Sequence, residues 1–349
     1  VRVIFDDRPA ASCPTGVGRY ARCLARLLPE IPGHAALPLT ALGLELPSPF
    51  EEELELPAAL ARDGVDLLHS PLWSLPAVLP CRTVVTVHDA IPATHPELTS
   101  DAFQPVWNGA AAAVSRAAAV VCPTEHALEA VVRALGLDPS RVHVVPEAPA
   151  GVFSPRGPDV VAAALRELHV DEPYFVVVGS LERRKNPDGV LDALASLASD
   201  ARPLVLFAGP AAGFDLAAEA ARRGLRDRAR HLGLVSDETL AALYTGARGL
   251  VFASRAEGFG LPVVEAWACG CPVITSTATC LPEVAGDAAL RVDPEDPRAI
   301  AAAMERLLVE GDLRDDLRRR GTERLSTRFS PDAVTAALAR LYDTLEARP

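Results

Sequence analysis

Short β-branched runs, apolar at nearly every position, alternate with alanine-rich segments along the whole of this 349-residue chain. In the first half the runs are Val3–Phe5, Leu37–Leu42, Val65–His69, Thr83–His88, Val120–Cys122 and Val142–Val145, with helical patterns at Arg19–Leu28, Phe103–Ala117 and Glu125–Leu135. In the second half they are Phe175–Gly179, Leu204–Ala208, Arg230–Leu232, Leu250–Ala253, Val273–Thr275 and Leu290–Val292. Helical patterns there fall at Pro187–Leu197, Asp215–Arg223, Asp237–Thr245 and Pro262–Cys269. Strands apolar on both faces belong to parallel sheets covered by helices, so the pattern predicts an α/β chain with two doubly wound, Rossmann-like domains. The densest proline and glycine stretch of the middle, Pro146–Pro158, marks the junction and suggests domains at 1–155 and 156–330. Helical patterns at Pro297–Leu308, Leu313–Thr327 and Pro331–Ala347 close the chain, and Glu51–Glu55 reads as a solvated helix start.

Bulk properties narrow the function. A hydrophobic content of 49% with 23% charged residues is that of a globular protein. The formal charge of −12 argues against nucleic acid or an anionic membrane as a partner, while leaving room for a local cationic pocket. Seven cysteines at irregular spacing suit a reducing compartment. Cys269, Cys271 and Cys280 lack a histidine at zinc-ligand spacing and read as small buried thiols, so no metal site is expected. The apolar start, Val1–Phe5, stops at Asp6 and is too short for a secretory signal. The longest apolar run, Ala110–Cys122, is interrupted by Arg116, so no membrane span is expected and the expectation is a cytoplasmic protein.

Open parallel sheets bind ligands at the carboxyl ends of their strands, and four such ends carry suitable chemistry. Thr15-Gly16-Val17-Gly18-Arg19-Tyr20 follows the first strand: its glycines suit close backbone approach and an anion at a helix start, or simply a tight turn. The strand Thr83–His88 ends at His88-Asp89, where an imidazole can bond a sugar hydroxyl or serve the core. Gly179-Ser180 leads into Arg183-Arg184-Lys185, three cations before a helix that Asn186 can cap and Pro187 can open. Cations there oppose the helix dipole unless an anion is present. Lys185 is the only lysine of the chain, either an incidental survivor of arginine preference or a point contact for a phosphate clamped by arginine.

The fourth end is the most specific. Strand Leu250–Ser254 is followed by the loop Arg255–Leu261 and a helix from Pro262 through Glu265 to Cys269, closed by Gly270. Gly258 and Gly260 are expected to expose backbone N–H groups at the helix start, a place for a leaving diphosphate. Glu257 in the loop and Glu265 in the helix are spaced to grip two parts of one elongated ligand rather than to act as an acid/base pair.

The segment Glu257-x7-Glu265 within Ser254–Thr275 resembles the retaining glycosyltransferases of family 4, which have the GT-B fold, and its texture near His88–Glu97 is similar to their mannosyltransferase-like branch. Cys280–Gly286, Gly179–Asn186, His88-Asp89 and the Gly16-x-Gly18 loop share the resemblance, which covers nearly the whole chain. It implies two domains facing across a cleft, the N-terminal one on the acceptor side, with the helix at 331–349 crossing back to it. Glu257 and the backbone of Gly258, Phe259, Gly260 and Leu261 would hold the donor sugar, and Glu265 the ribose. Arg184 and Lys185 would hold the diphosphate near Gly179 and Ser180, helped by Gly16 and Gly18. His88 would reach the sugar near the reacting centre, and Leu234 with Val235 would border the base. Where many relatives place an arginine after Gly179 this chain has Ser180, which leaves the clamp to Arg184, Lys185 and Arg183.

The implied reaction moves a hexose, with retention, from a nucleotide-diphosphate sugar as co-substrate, GDP-mannose before a UDP-hexose, and needs neither metal nor cofactor. No Asp-x-Asp occurs in the chain, in keeping with charge neutralised by Arg and Lys. Residues 1–160 carry 11 arginines against 18 carboxylates, which favours a saccharide or small-metabolite acceptor over one in a membrane. Other readings are an epimerase or phosphorylase of the same fold, separable by incubating donor without acceptor, and a non-catalytic sugar-nucleotide-binding protein. The sequence leaves the oligomeric state open.

Overall fold

A computed structural model describes residues 1–13, 16–44, 49–71, 75–100 and 104–346. The chain forms two compact units, residues 1–148 with 329–349 and residues 149–328. The division at Ala148/Pro149 precedes the boundary at 155 that composition suggested. The intervening residues are held within the second unit: Phe153 packs edge-on against Tyr244, and the Arg156 N–H donates to Thr245 Oγ1.

The first unit runs β1 (Arg2–Phe5), α1 (Pro9–Ser12), α2 (Gly16–Leu27), β2 (Ala35–Pro38), α3 (Pro49–Arg62), β3 (Leu67–Ser70), β4 (Arg82–Thr86), α4 (Ile91–Thr94), α5 (Gln104–Arg116), β5 (Ala119–Cys122), α6 (Glu125–Leu135) and β6 (Val142–Val144). Its six strands are parallel in the order β2-β1-β3-β4-β5-β6. The second unit runs α7 (Pro158–Glu167), β7 (Tyr174–Val178), α8 (Pro187–Ser196), β8 (Leu204–Ala208), α9 (Leu216–Arg222), β9 (Ala229–Gly233), α10 (Asp237–Gly246), β10 (Gly249–Phe252), α11 (Leu261–Ala268), β11 (Val273–Ser276), α12 (Leu281–Ala285), β12 (Leu290–Val292), α13 (Pro297–Val309) and α14 (Gly311–Arg328). Its strands are also parallel, in the order β12-β11-β10-β7-β8-β9. The last helix, α15 (Pro331–Glu346), belongs to the first unit.

Period-two alternation decides what covers each face. In the first sheet Val3, Phe5, Leu67, Val84 and Val121 point to the side where α2 contributes Tyr20 and Leu24, and α15 contributes Leu338, Leu341, Tyr342 and Leu345. On the other side Ile4 and Leu68 meet Leu56 and Leu60 of α3, while Val85, Val120 and Cys122 meet Trp107 and Val114 of α5 and Val131 of α6. In the second unit Phe175, Val177, Phe207, Val251 and Ile274 pack against Leu191 and Leu194 of α8 and Met304 and Leu307 of α13. No described helix is long and apolar enough to cross a membrane.

Two local expectations are corrected. The run Leu37–Leu42 is not one strand: β2 ends at Pro38 and a 3₁₀ turn covers Leu39–Leu42. Proline offers no N–H to a ladder, and the Thr40 N–H and hydroxyl instead bond the Asp7 carboxylate at 3.0 and 2.7 Å. Gly16 and Gly18 are not in a loop but in the first turn of α2 (Thr15 lies outside the described residues). Gly18 has a packing reason, because a Cβ there would stand 1.7 Å from the Cys13 carbonyl oxygen.

Leu338→Ala removes a fully buried side chain from the α15 face. It is expected to lower the unfolding free energy of the first unit by about 2–5 kcal/mol. Chemical denaturation followed by circular dichroism checks this, and a loss below about 0.5 kcal/mol would mean that α15 does not seal the sheet.

Candidate active site

The second sheet reverses its order between β7, which continues to β8 and β9, and β10, which continues to β11 and β12. A crevice for ligands opens outside the strand ends at such a switch point. Here the loops after β7 and β10 bring together three of the residues singled out from sequence. Lys185 Nζ lies 2.6 Å from Glu257 Oε1, and Arg184 Nη1 lies 2.8 Å from Glu257 Oε2 and 3.0 Å from the Ala256 carbonyl oxygen. The second guanidinium edge donates to Glu182 Oε1 at 2.7 Å, and that oxygen also accepts from the Ser180 hydroxyl at 2.8 Å. Ser180 therefore steadies the arginine through Glu182. The Lys185 ammonium also sits 5.0 Å above the Phe252 ring, within cation–π range. Gly179, at φ +130°, leaves its Cβ position against the Lys185 stem, so a larger residue would crowd the lysine.

Burial opposes charge on both Glu257 and Lys185, and their partners act against it. For Glu257 burial alone would raise the carboxyl, but the Arg184 guanidinium and then the Lys185 ammonium outweigh it and hold it below the ordinary range. For Lys185 burial is again the largest effect. Glu257 opposes it, but the adjacent Arg184 adds to it, and the ammonium is drawn below the ordinary lysine range. Glu257 faces two cations and is doubly stabilised, whereas Lys185 shares that carboxylate with Arg184, which has Glu182 as a second partner. An anion entering here would meet cations that are already desolvated.

The Glu257 loop is more enclosed than sequence suggests. All of Ala256–Gly260 is buried. The reason is the following loop: the Glu257 N–H donates to Thr279 Oγ1 at 3.0 Å, and the Cys280 thiol lies 3.1 Å from the Glu257 carbonyl oxygen. Thr279, held at φ +50°, and Cys280 are supports that sequence reading did not assign. Pro262 is in the first turn of α11, Gly270 follows it at φ +70°, and Phe259 and Leu261 are buried. Glu265 lies inside α11, 1% exposed, and accepts from the Tyr244 hydroxyl at 3.3 Å. Leu234, 62% exposed, and Val235 form the loop between β9 and α10, on the same carboxyl edge of the sheet.

In the first unit His88 lies just beyond β4, its Nδ1 2.7 Å from Glu147 Oε1. The Tyr20 ring meets the imidazole edge-on, with centroids 4.8 Å apart. Glu147 was not singled out from sequence, where only its place in the proline-rich junction is visible.

Residues 165–324 match the family model described as "Glycosyl transferases group 1", and residues 29–148 match "Glycosyltransferase Family 4". The chain is 32% identical over 291 residues to the O-antigen chain mannosyltransferase B of Escherichia coli, which covers 81% of this chain and 76% of that protein. It is 33% identical over 283 residues to the D-inositol 3-phosphate glycosyltransferase of Xylanimonas cellulosilytica, covering 77% of this chain and 66% of that protein. Among solved structures, sucrose-phosphate synthase from Thermosynechococcus elongatus aligns with a TM-score of 0.76 at 22% identity, over 99% of both chains. The Anabaena protein HepE, in complex with UDP and glucose, aligns with a TM-score of 0.78 at 18% identity, over 99% of this chain and 100% of that one. These likenesses show the GT-B fold.

Because the folded Glu257 carboxyl titrates below the ordinary glutamate value of 4.5, its stabilisation is full above that pH. It is lost as pH falls through the folded value. Glu257→Gln is expected to cost about 3–5 kcal/mol near neutrality, leaving two cations without their carboxylate. Urea denaturation of both proteins from about pH 7 to about pH 3 should show that difference shrinking only at the acid end. A difference independent of pH would mean that the carboxylate is not held by the cations.

Proposed function

Because the chain belongs to the family 4 glycosyltransferases, we propose that it moves a hexose from a nucleotide-diphosphate sugar to a hydroxyl of a saccharide or small metabolite. Transfer proceeds with retention at the anomeric carbon and without a metal ion or other cofactor. The observation that carries this reading is the Arg184–Lys185–Glu257 cluster, with Glu257 buried and both cations half-buried, at the switch point of the second sheet.

In that cluster Arg184 offers a planar fork and Lys185 a compact charge, and a diphosphate accepts from both. Both cations are fixed before the reaction by Glu257, Glu182 and Ser180, so little reorganisation is needed as charge develops on the leaving group. Glu257 bonds hydroxyls of the transferred sugar, together with the backbone of Gly258–Leu261. Glu265 bonds the ribose, and Leu234 and Val235 border the base. Gly16 and Gly18 also serve the donor, and His88 contributes a ring nitrogen to a substrate hydroxyl. The departing diphosphate takes the proton of the acceptor hydroxyl, and catalysis rests on positioning and on stabilising the leaving charge.

The likeness to an O-antigen mannosyltransferase supports GDP-mannose as the donor, and the UDP complex of a protein of the same fold keeps a UDP-hexose as second choice.

Mass spectrometry with GDP-mannose and UDP-glucose, followed by NMR of the product's anomeric configuration, tests donor and stereochemistry. Activity is expected to survive EDTA. Lys185→Ala is expected to weaken GDP or UDP binding by about 1.5–3 kcal/mol, the worth of a charge-assisted hydrogen bond. Calorimetry reads this directly. Unchanged affinity would remove Lys185 from the site, and no binding of either nucleotide by the unaltered protein at millimolar concentration would sink the donor reading.

A further inference from the structure

Glu147 follows β6 and is 4% exposed. A carboxylate so buried needs a partner. Its Oε1 lies 2.7 Å from Nδ1 of His88, which is 59 residues away in sequence. The sheet explains the meeting. β4 and β6 flank β5, and beyond the strands the Val87 N–H donates to the Val121 carbonyl while the Val145 N–H donates to the Cys122 carbonyl. Both chains thus leave the sheet beside the end of β5.

The rest of the His88 surroundings are fixed. Tyr20 packs edge-on against the imidazole, and its hydroxyl is 3.1 Å from Thr86 Oγ1. Burial pushes the Tyr20 phenol well above its ordinary value, so it stays neutral. The other nitrogen of His88, Nε2, is buried and has no hydrogen-bond partner among the described residues. A buried ring nitrogen without a partner is a standing cost that a ligand hydroxyl would remove.

An ionised carboxylate only accepts hydrogen bonds, so the proton in the Glu147–His88 contact belongs to Nδ1. The neutral ring then carries its lone pair on Nε2. We infer that Glu147 is a positioning residue, holding His88 in the tautomer with Nδ1 protonated so that Nε2 accepts a hydrogen bond from a sugar hydroxyl. The inference rests on the proposed glycosyl transfer for the identity of the ligand, but the tautomer can be read without it.

In protein labelled with ¹⁵N-histidine, His88 is assigned by its absence from the His88→Ala spectrum. Its neutral form should show Nδ1 protonated and Nε2 bare, and this pattern should be lost in Glu147→Gln. With the winning donor, Glu147→Gln should lower kcat about 10- to 100-fold, the range that loss of a hydrogen bond to a charged group gives. KM for the donor should rise by no more than about 3-fold, because the contacts to the nucleotide are untouched. Glu147→Asp should restore part of the rate. In a His88→Ala background Glu147→Gln should add nothing further, because the carboxylate acts only through the ring. Nε2 protonated in the unaltered protein, or losses that add in the double variant, would overturn the inference. An unaltered protein that transfers no nucleotide sugar would overturn the proposed reaction, and the tautomer would still decide the role of Glu147.

Discussion

The buried side chain of Asn186 is the tie on which the candidate donor site depends. It is fully excluded from solvent, and its amide Nδ2 is bonded to two other loops. Nδ2 donates to the carbonyl of Ala253 at 3.0 Å and to that of Pro294 at 2.7 Å, while Oδ1 caps α8 by accepting from the Gly189 N–H at 3.1 Å. One amide therefore joins the loops after β7, β10 and β12. Its backbone sits in the left-handed region, at φ 62° and ψ 42°, where asparagine is tolerated better than most residues. That turn ends the short 3₁₀ segment Arg183–Lys185 and sets the direction from which Arg184 and Lys185 reach Glu257. Arg255 braces the same segment from the other loop. Its N–H donates to the Arg184 carbonyl, and its guanidinium bonds the Arg183 carbonyl, Asp188 and Glu295. Arg255 thus serves to hold the backbone of the cation turn.

With the backbone fixed, the charges follow. Removing three ionised groups from water at one strand end costs several kcal/mol for each ion, and only close mutual pairing makes it tolerable. The pairing is lopsided, since one carboxylate serves both cations and Glu182 is shared between Arg184 and Ser180. In the proposed reaction a diphosphate would compete with Glu257 and Glu182 for cations that are already held in place. There the same property stabilises the leaving group, so affinity and rate draw on one arrangement.

Much of this could be read from the sequence because parallel α/β folds announce themselves locally. The apolar run of β7, the glycine after it and the cations before Pro187 are contiguous, so strand, loop and helix start were legible with their chemistry. The same holds for β10, Glu257 and the start of α11. What the sequence concealed depends on strand order. Nothing local says that β10 lies beside β7, so the contact of Lys185 with Glu257, 72 residues apart, follows only from the topology. Asn186 reads locally as a cap, yet two of its three bonds are to distant carbonyls. The Leu37–Leu42 run misled for a related reason. Its hydrophobicity suggested one strand, but the backbone of Thr40 prefers the Asp7 carboxylate across a loop, which periodicity does not reveal.

Two histidines of the first unit show how structural and functional roles can be separated once the fold is known. His69 and His88 lie in or just beyond adjacent strands, and both are close to Tyr20 or Thr86. His69 is completely enclosed: Nδ1 is 2.7 Å from the Tyr342 hydroxyl of α15, and Nε2 is 2.8 Å from Thr86 Oγ1. Burial lowers its titration to about 3, so it remains a neutral link between the last helix and the sheet. With both nitrogens satisfied it has nothing to offer a ligand. His88 differs in a single bond. One nitrogen is anchored by Glu147, and the other has no partner among the described residues. Filled networks in a core specify one arrangement of the chain. The network running from Tyr342 through His69 and Thr86 to Tyr20 does so, and it fixes the surface against which His88 rests. The rigid, satisfied histidine is thereby part of what lets its unsatisfied neighbour present a lone pair in one direction.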